Sequence, residues 1–319
     1  MSAAKSSTAT ATTATVERGA APMGRGYIGR FAPSPSGDLH LGSLFTAVAS
    51  YLDARSHGGR WLLRIEDLDA GREVDGAAAR IMATLAAFGF EWQQPVLRQS
   101  ARIEAYRSTI NELDQRGLIY RCRCTRRDLP EDDRYAGTCR ERRWPAEVAG
   151  ALRLRVEPAM IDFADALQGT FRQDVARSVG DFIVQRRDGI IAYALAVVVD
   201  DAAQGVTHVV RGADLLDSTA RQIYLQRILK VPTPLYAHVP VLVEADGAKL
   251  AKSRRSIAID SRSAAPQLCA VLALLGLFAP ATLRAAGVRE VWNWALEHWH
   301  SARLSRQLSI PVGAGPYLP

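Results

Sequence analysis

Two short segments of the chain carry residue types that suit phosphate binding. The first, Asp38-Leu39-His40-Leu41-Gly42-Ser43, follows a predicted strand and begins a predicted helix. Free backbone N–H groups at a helix N-terminus attract anions, and a histidine there can donate a hydrogen bond to a phosphate. Gly42 would let a nucleotide approach the backbone closely. The alternative interpretation is an ordinary helix start that Asp38 caps.

The second segment lies far downstream, at Lys249-Leu250-Ala251-Lys252-Ser253. Two lysines three residues apart on a polar loop provide two mobile ammonium groups that can follow a phosphate chain during a reaction. A solvated basic loop is the simpler interpretation when this segment is considered alone. The two segments together, one near each end of the folded part, favour a nucleotide site.

Three of the four cysteines, Cys122, Cys124 and Cys139, fall in one short stretch. Four cysteines are too few for a disulfide scaffold, and a cluster of this kind favours a metal site. Three free buried cysteines are the alternative, which the polar character of the surrounding sequence disfavours. Three sulfur ligands with no open position would make the site structural.

The elements that must position these residues follow from the hydrophobic pattern. Residues 27–31 and 61–65 are predicted strands, and the segment between them, starting near His40, carries apolar residues at helical spacing. Strand, glycine-containing turn, helix and strand form a βαβ unit, which predicts a parallel sheet and an α/β fold. Further helices are predicted over 75–88, 103–113, 215–229 and the chain from 264 onward, and further strands over 151–156, 182–186, 192–199 and 206–210.

Composition limits the class of protein. The chain has 319 residues, of which 48% are hydrophobic and 23% charged, and it has no apolar run of eighteen residues. A mostly disordered chain and a membrane span are therefore excluded. The formal charge of +7 is weak support for a polyanionic partner. Residues 1–24 are rich in Ala, Thr and Ser and lack the apolar core of a secretory signal, so we expect a disordered extension and a cytoplasmic protein.

Four segments, in order, resemble signature blocks of the class I glutamyl-tRNA synthetases. The stretch from Arg30 to Ser43 resembles the first signature of that family, and Lys249 to Ser253 resembles its lysine loop. Arg64-Ile65-Glu66-Asp67-Leu68-Asp69 and the stretch from Asp200 to Leu215 resemble two further blocks. The resemblance implies a Rossmann-like class I aminoacyl-tRNA synthetase catalytic domain, with a zinc-bearing α+β insertion and a short helical C-terminal segment.

The chain resembles a short branch of this family, the glutamyl-Q tRNA(Asp) synthetases, more than the full-length enzymes. About 66 residues follow Ser253, too few for the large anticodon-binding part of a full-length enzyme. The cysteine cluster and the run from Tyr193 to Asp201 are also typical of the short enzymes. Ser43 and Ala251 depart from the signatures, at positions where similar family members also carry small residues.

The resemblance implies ATP-dependent, tRNA-independent activation of L-glutamate and transfer of the glutamyl group to queuosine in the anticodon of tRNA(Asp). Its partners would be ATP with Mg²⁺, L-glutamate and queuosine-containing tRNA(Asp). No membrane is implied, and nothing in the sequence demands a dimer, so we expect a monomer. The alternatives are a truncated enzyme that charges tRNA(Glu), a nucleotidyltransferase that makes an adenylate for a small-molecule pathway, and a non-catalytic RNA-binding protein.

The side chains that would meet glutamate can be argued from their chemistry. Arg30 or Arg211 can bind its side-chain carboxylate and Glu66 its ammonium group, although a structural ion pair is the alternative for Glu66 and Arg211. The glutamate contacts implied by the resemblance are Arg30, Phe31, Ala32, Pro33, Ser34, Glu66, Tyr193 and Arg211. The implied ATP contacts are His40, Gly42, Lys249 and Lys252, of which His40 and Lys252 would be catalytic. The implied ligands of one structural zinc ion are Cys122, Cys124, Tyr135 and Cys139, with Asp132 and Asp133 as competitors for the place of Tyr135.

We predict five segments along the chain: the extension over 1–24, the first half of the catalytic domain over 25–119, the insertion with its zinc site over 120–190, the second half over 191–263, and the helical C-terminal segment over 264–319. The insertion is rich in arginine, which suits RNA phosphates and a solvated, partly ion-paired surface equally well. Its arginines include Arg121, Arg123, Arg126, Arg127, Arg134, Arg140, Arg142 and Arg143.

Overall fold

The computed structural model describes residues 26–128, 134–135, 137–145, 147–244, 259–301 and 304–312. The helices are α1 (Leu41–Ser56), α2 (Ala77–Ala87), α3 (Ile103–Gln115), α4 (Val175–Ser178), α5 (Tyr193–Gln204), α6 (Thr219–Leu229), α7 (Ala264–Leu274) and α8 (Val288–His298). The strands are β1 (Ile28–Phe31), β2 (Arg60–Ile65), β3 (Leu97–Arg98), β4 (Ile119–Cys122), β5 (Ala151–Leu154), β6 (Met160–Asp165), β7 (Gly169–Asp174), β8 (Ile183–Gln185), β9 (His208–Gly212), β10 (Leu235–Val239), β11 (Val241–Val243) and β12 (Ser309–Pro311).

The central sheet is mostly parallel. β1, β2 and β3 pair in parallel, β10 pairs in parallel with both β9 and β6, and β7 joins β6 in antiparallel orientation. The two groups of strands meet at β1 and β9, because the backbone N–H of Thr207, just before β9, donates to the Ile28 carbonyl at 2.9 Å. The predicted α/β class and the parallel β1–α1–β2 unit are confirmed.

Helices cover both faces of this sheet. Val209 and Val210, neighbours on β9, belong to two different clusters of buried residues, because successive residues of a strand face opposite sides. The cluster around Val210 includes residues of α1, α2, α7 and α8, whereas the cluster around Val209 includes residues of α3, α5 and α6. This two-sided arrangement leaves the carboxyl edge of the parallel strands for a binding site.

The strand predicted over 192–199 is wrong, because this segment belongs to helix α5. A run of apolar residues cannot distinguish a buried strand from a buried helix by periodicity alone. Here Leu195, Ala196 and Val198 are buried on the helix, and Gly205 ends it with a φ of 66°, which favours glycine. The correction matters because a helix carries the two adjacent carboxylates, Asp200 and Asp201, inward to the sheet.

The other predicted elements are present, with shifted bounds. The helix predicted over 215–229 begins at Thr219, after a 3₁₀ turn over Ala213–Ser218. The C-terminal part contains α7 and α8 but also the short strand β12, which pairs with β11. Within the segment predicted as an insertion, β4, β5 and β8 form a separate antiparallel sheet. The division into five segments stays a prediction. In the described ranges, no helix is both long enough and apolar enough to cross a bilayer.

Candidate active site and metal centre

His40 lies at the start of α1, on the carboxyl side of β1, and caps the helix. Its Nδ1 accepts a hydrogen bond from the Ser43 backbone N–H at 3.3 Å, and its Nε2 lies 3.0 Å from the Ser43 hydroxyl. Burial lowers the pKa of His40, so the imidazole is neutral near pH 7. With Nδ1 as acceptor, the proton is on Nε2, where it can be donated.

Gly42 is required by the position of this ring. A Cβ on Gly42 would lie 3.2 Å from Cε1 and 3.3 Å from Nδ1 of His40, which is tighter than nearly all real contacts. The predicted role of Gly42, close approach of a nucleotide to the backbone, stays a prediction; the structure adds a separate role, which is space for the His40 ring. Lys249 and Lys252 lie outside the described residues.

Four charged side chains meet beneath the carboxyl ends of β1 and β2. Asp201 Oδ1 accepts from Arg64 Nη1 at 2.7 Å and from Arg30 Nε at 3.3 Å, and Arg64 Nη2 lies 3.4 Å from Glu66 Oε1. All four are buried or nearly so. Burial would raise the pKa of Asp201, but the two arginines outweigh it and lower that pKa. Burial raises the pKa of Glu66, and Arg64 and Arg30 oppose that rise only in part.

Arg211 on β9 is buried and bound by protein groups on three of its nitrogens. Its Nε donates to His238 Nε2 at 2.9 Å, Nη1 to Gln222 Oε1 at 2.8 Å and Nη2 to Thr219 Oγ1 at 2.9 Å. Nη1 also reaches the hydroxyl of Tyr193, at the longer distance of 3.5 Å. Of these contacts, the one to Tyr193 is the longest and therefore the easiest to exchange for a ligand.

The predicted glutamate contacts gather around one cleft of about 1290 Å³. Ser34, Glu66 and Tyr193 line the cleft, and Tyr193 is 37% exposed there. Arg30 and Arg211 lie buried behind this wall. Arg30 contacts Asp201, which binds Arg64, and Arg64 in turn contacts Glu66 at the wall. Arg211 contacts the wall directly, through the hydroxyl of Tyr193. Phe31 ends β1, and the Pro33 carbonyl accepts from the Glu66 backbone N–H at 3.0 Å, so residues 31–34 run beside Glu66.

The opposite wall of the cleft comes from the segment predicted as the insertion. It carries Arg186 and Arg187, and Arg221 from α6 also lines the cleft. Arg186 pairs with Asp69 at 2.8 Å and with Asp188 at 2.6 Å, both at the surface. The cleft thus carries Glu66 on one side, and Arg187 and Arg221 add cations to a lining in which Arg186 is already paired with carboxylates.

Sequence analysis missed four residues of this site: Arg64, Asp165, Asp201 and His238. The signal for Asp201 was present, since two adjacent carboxylates at the end of an apolar run must find buried partners. Asp200 finds three, namely Arg102 Nε at 2.6 Å, Tyr106 Oη at 2.7 Å and Gln99 Nε2 at 2.9 Å. Nothing local marked Asp165 or His238, which pair across 73 positions of the chain.

The three clustered cysteines and Tyr135 converge. Sγ of Cys124 lies 3.6 Å from Sγ of Cys139, and the Tyr135 hydroxyl lies 3.2 Å from Sγ of Cys122 and 3.5 Å from Sγ of Cys124. Ligands about 2.3 Å from a tetrahedral zinc ion would be about 3.8 Å apart, so these spacings match a four-coordinate site. Within the described ranges, Cys122, Cys124 and Cys139 are the one group of three His, Cys, Asp or Glu side chains placed to hold a metal.

The electrostatics around the cluster also suit a cation. Burial opposes ionisation of Cys139, but hydrogen bonds from the Arg123 backbone and the Tyr135 hydroxyl help to lower the pKa of that thiol to about 6. Burial and the three neighbouring cysteines raise the pKa of Tyr135. A bound cation would reverse that preference, since it favours deprotonated ligands. Asp132 and Asp133 lie outside the described residues.

The arginines near the cluster divide between structural and exposed positions. Arg140 pairs with Asp181 at 3.0 Å, and Arg123 lies over the ring of Trp144 at 5.0 Å. Arg127, Arg142 and Arg143 are exposed. Glu141 pairs with Arg155 at 3.3 Å. The ion-paired interpretation is therefore confirmed for Arg140, whereas binding of RNA phosphates by the exposed arginines stays a prediction.

A model of the family "tRNA synthetases class I (E and Q), catalytic domain" matches residues 28–276, well over half of the chain. This range contains β1 to α7 and all of the predicted site residues.

Curated relatives cover nearly the whole chain. It is 51% identical to proteins named glutamyl-Q tRNA(Asp) synthetase from Pseudomonas fluorescens, over 89% of this chain and 96% of the relative, and from Pseudomonas aeruginosa, over 91% and 99%. A protein of the same name from Aromatoleum aromaticum is 50% identical, over 88% and 91%.

Solved structures share the fold. A glutamate-tRNA synthetase from Elizabethkingia anophelis superimposes with a TM-score of 0.74 at 22% identity, over 92% of this chain and 68% of that one. A glutamate tRNA ligase from Elizabethkingia meningosepticum gives 0.71 at 23% identity, over 89% and 66%. At these identities the likeness concerns the fold alone.

Proposed function

The chain belongs to the class I tRNA synthetases for glutamate and glutamine, and from this premise we propose that it activates L-glutamate with ATP, without tRNA, and transfers the glutamyl group to queuosine in the anticodon of tRNA(Asp). One observation carries this proposal: the identity of about 51% to glutamyl-Q tRNA(Asp) synthetases, over 96% and 99% of their length. The two Elizabethkingia enzymes of known structure share only 22% and 23%, so modification of tRNA(Asp) is favoured over charging of tRNA(Glu).

Glutamate needs cations for its carboxylates and an anion for its ammonium group. Arg30 and Arg211 supply the positive charge behind the cleft wall, and Arg211 Nη1 lies 3.5 Å from the hydroxyl of Tyr193, which lines the cleft. Glu66 meets the ammonium group. Burial raises the pKa of Glu66, and a bound ammonium group would bring that pKa down again, so that binding and ionisation support each other. Residues 31–34 supply backbone and Ser34 contacts along the same wall.

In the first step, an oxygen of the glutamate α-carboxylate attacks the α-phosphorus of ATP and the bond to pyrophosphate breaks. His40, neutral and protonated on Nε2, donates to the α-phosphate as negative charge builds up there. Gly42 keeps the space that this ring needs. Lys249 and Lys252 hold the β- and γ-phosphates and then the leaving pyrophosphate. Mg²⁺ that arrives with ATP would supply further positive charge for the phosphate oxygens.

In the second step, a hydroxyl of queuosine attacks the acyl carbon and AMP leaves. The cleft of about 1290 Å³ exceeds the volume of an ordinary small-molecule pocket, which leaves space for a modified nucleoside beside glutamate. Arg186, Arg187 and Arg221 at its walls would meet RNA phosphates.

The metal of the cysteine cluster is proposed to be one structural zinc ion, held by Cys122, Cys124, Cys139 and Tyr135. When bound, zinc ties β4 to the segment around Tyr135 and Cys139 and so stabilises the wall of the cleft that contains Cys124. Arg153 supports Tyr135, because its guanidinium carbon lies 3.7 Å from the centre of the phenol ring, where a cation favours a phenolate.

Two measurements test the proposed function. Glutamate-dependent ATP–pyrophosphate exchange without RNA tests activation, and we expect exchange. Transfer of labelled glutamate is then compared between tRNA(Asp) with queuosine, the same tRNA without queuosine, and tRNA(Glu). We expect transfer only to the first. Transfer to tRNA(Glu) would establish a charging enzyme, exchange without transfer to any tRNA would favour a small-molecule adenylate, and no exchange would rule the proposed function out.

A further inference from the structure

His238 on β10 and Asp165 at the end of β6 form a fully buried pair behind Arg211. Nδ1 of His238 lies 2.5 Å from Oδ2 of Asp165, and Nε2 lies 2.9 Å from Nε of Arg211. Neither His238 nor Asp165 lines the cleft, and their side chains are 0% exposed. Burying a carboxylate and an imidazole carries a large desolvation cost, so this arrangement needs an explanation.

The direction of each hydrogen bond follows from the donor chemistry. An arginine can only donate, so Nε2 of His238 must accept the Arg211 N–H. The imidazole proton is therefore on Nδ1, and Asp165 accepts it. The other oxygen of Asp165, Oδ1, accepts the backbone N–H groups of Leu167 at 3.0 Å, Gln168 at 2.9 Å and His238 at 3.1 Å. The carboxylate is thus held on both sides and fixes one imidazole tautomer.

Burial, together with the positive charges of Arg211 and Arg30, keeps His238 neutral. It faces Asp165 from β6, Arg211 from β9 and, farther away, Arg30 from β1, together with the neutral hydroxyl of Thr219 on α6 at 3.3 Å. Burial lowers the pKa of His238, and the hydrogen bond to Asp165 opposes this only in part. For Asp165, hydrogen bonds from His238 and Gln168 outweigh burial and lower its pKa.

We propose that Asp165 and His238 are positioning residues for the amino-acid site: ionised Asp165 fixes the Nδ1–H tautomer of neutral His238, whose bare Nε2 holds Arg211 so that Nη1 points to the cleft beside Tyr193. Protonation of His238 would place an N–H against the Arg211 N–H and a second positive charge beside the guanidinium. Arg211 would then lose its orientation, and glutamate would bind less tightly. This inference rests on the proposed function, because that function assigns Arg211 to glutamate.

The variant Asp165→Asn tests this with almost no change in shape. The asparagine amide would donate to Nδ1, which moves the imidazole proton to Nε2, facing Arg211. In ATP–pyrophosphate exchange we expect the glutamate KM to rise about tenfold or more, the loss expected for a hydrogen bond to a charged group, with little change in the ATP KM. Asp162→Asn is the matched control on the same strand, since Asp162 is exposed and pairs with exposed Arg172 at 3.5 Å.

The pH profile separates positioning from a structural role. The glutamate KM of the wild type should rise only at a pH well below 6.5, where folded His238 gains a proton, because burial lowers its pKa. His238→Gln, which offers an acceptor oxygen near the place of Nε2 but does not titrate, should recover most of the glutamate affinity and flatten this acid limb. An unchanged acid limb in His238→Gln, or an equal rise of both KM values in Asp165→Asn, would overturn the proposal.

A measurement on the wild type covers the case in which the variants do not fold. Long-range ¹H–¹⁵N spectra report which ring nitrogen of each of the six histidines carries the proton. We expect a buried histidine with the proton on Nδ1, a bare Nε2 and no protonation until well below pH 6.5. His57 and His298 also place Nδ1 beside a backbone carbonyl oxygen, at 2.7 and 2.8 Å, but both are exposed, so slow solvent exchange of the ring proton identifies the buried one. Absence of such a histidine would refute the inference even if the enzyme is active, whereas its presence in a protein without exchange activity would refute the proposed function alone.

Discussion

Arg64 and Asp201 form a buried ion pair between β2 and α5, in which Nη1 of Arg64 lies 2.7 Å from Oδ1 of Asp201, with 0% and 5% of the side chains exposed. The same oxygen accepts from Arg30 at 3.3 Å. One carboxylate on α5 therefore balances two arginines of the sheet, and one of these is a proposed glutamate contact. The position of Arg30 thus depends on a helix that lies 171 positions away in the chain.

Asp201→Asn should destabilise the protein strongly, because the buried guanidinium groups of Arg30 and Arg64 would lose the negative charge that they share. Removal of one partner of a buried ion pair costs about 3–5 kcal/mol of unfolding free energy. Urea unfolding followed by circular dichroism measures this. Glu104→Gln is the control, since the Glu104–Arg107 pair is exposed and its loss should cost only about 0.3–0.5 kcal/mol. Equal stability losses in the two variants would contradict the buried network.

Gly42→Ala should lower adenylation without destabilising the fold. The added Cβ would lie 3.2 Å from the His40 ring and displace Nε2 from the phosphate site. Alanine is the better helix former by about 1 kcal/mol, so stability should stay equal or rise while kcat for exchange falls at least about tenfold. Gly26→Ala, where no atom lies within 4 Å of the new Cβ, is the control. A variant with unchanged kcat would show that the His40 ring has freedom to move.

Local patterns predicted the part of the site that is built locally. β1, β2 and the start of α1 near His40 were predicted to within one residue, because glycine, proline and a clear apolar period mark them. The segment around α5 was mispredicted, since eight apolar residues suit either element. The ties from Asp201 to Arg64 and from Asp165 to His238 span 137 and 73 positions, and no local pattern specifies such partners. The assignment of Tyr135 came from resemblance, while its 3.2 Å approach to Cys122 came only from the structure.

Tyr135→Phe should weaken zinc binding while leaving the fold intact. Phenylalanine keeps the ring beneath Arg153 but removes the oxygen ligand, so zinc retention against a chelator should fall at least about tenfold. Zinc content of purified protein, measured by mass spectrometry, checks this. Cys269→Ser is the control, because Cys269 is buried in α7 and belongs to a different cluster of residues. If Tyr135→Phe retained zinc fully, Asp132→Asn and Asp133→Asn would be the next variants to measure.

Lys252→Ala should lower the rate of adenylation far more than it weakens glutamate binding. The ammonium group is proposed to follow the β- and γ-phosphates as the bond to the α-phosphorus breaks, so its effect is largest in the transition state. Single-turnover adenylate formation and calorimetric glutamate titration separate the two effects. Lys230→Ala provides a control lysine, located at the end of α6. An unchanged rate of adenylation would remove Lys252 from its assigned role.

Stability should fall as the pH drops below about 6.5, and His238 should account for part of the slope. Burial lowers the pKa of His40, His208 and His238 in the fold, whereas in the unfolded chain these groups titrate near 6.5. Below that pH the unfolded state binds more protons, so unfolding becomes more favourable, by at most about 1.4 kcal/mol per pH unit for fully buried His238. The pKa values of Asp165 and Asp201 are lowered in the fold, so their contribution to the unfolding free energy is lost only at a more acidic pH than that of the histidines.

Urea unfolding of wild type and His238→Gln at pH 5, 6, 7 and 8 measures this slope. Protonation of cysteine thiolates also weakens metal binding at low pH, so both proteins are compared at equal zinc, and only their difference is assigned to His238. We expect the stability gap between the two proteins to change in favour of His238→Gln as the pH falls from 7 to 5. Parallel stability curves would mean that His238 has the same pKa in the folded and unfolded states, and a gap that changes in favour of the wild type would mean that Asp165 holds His238 in the charged form.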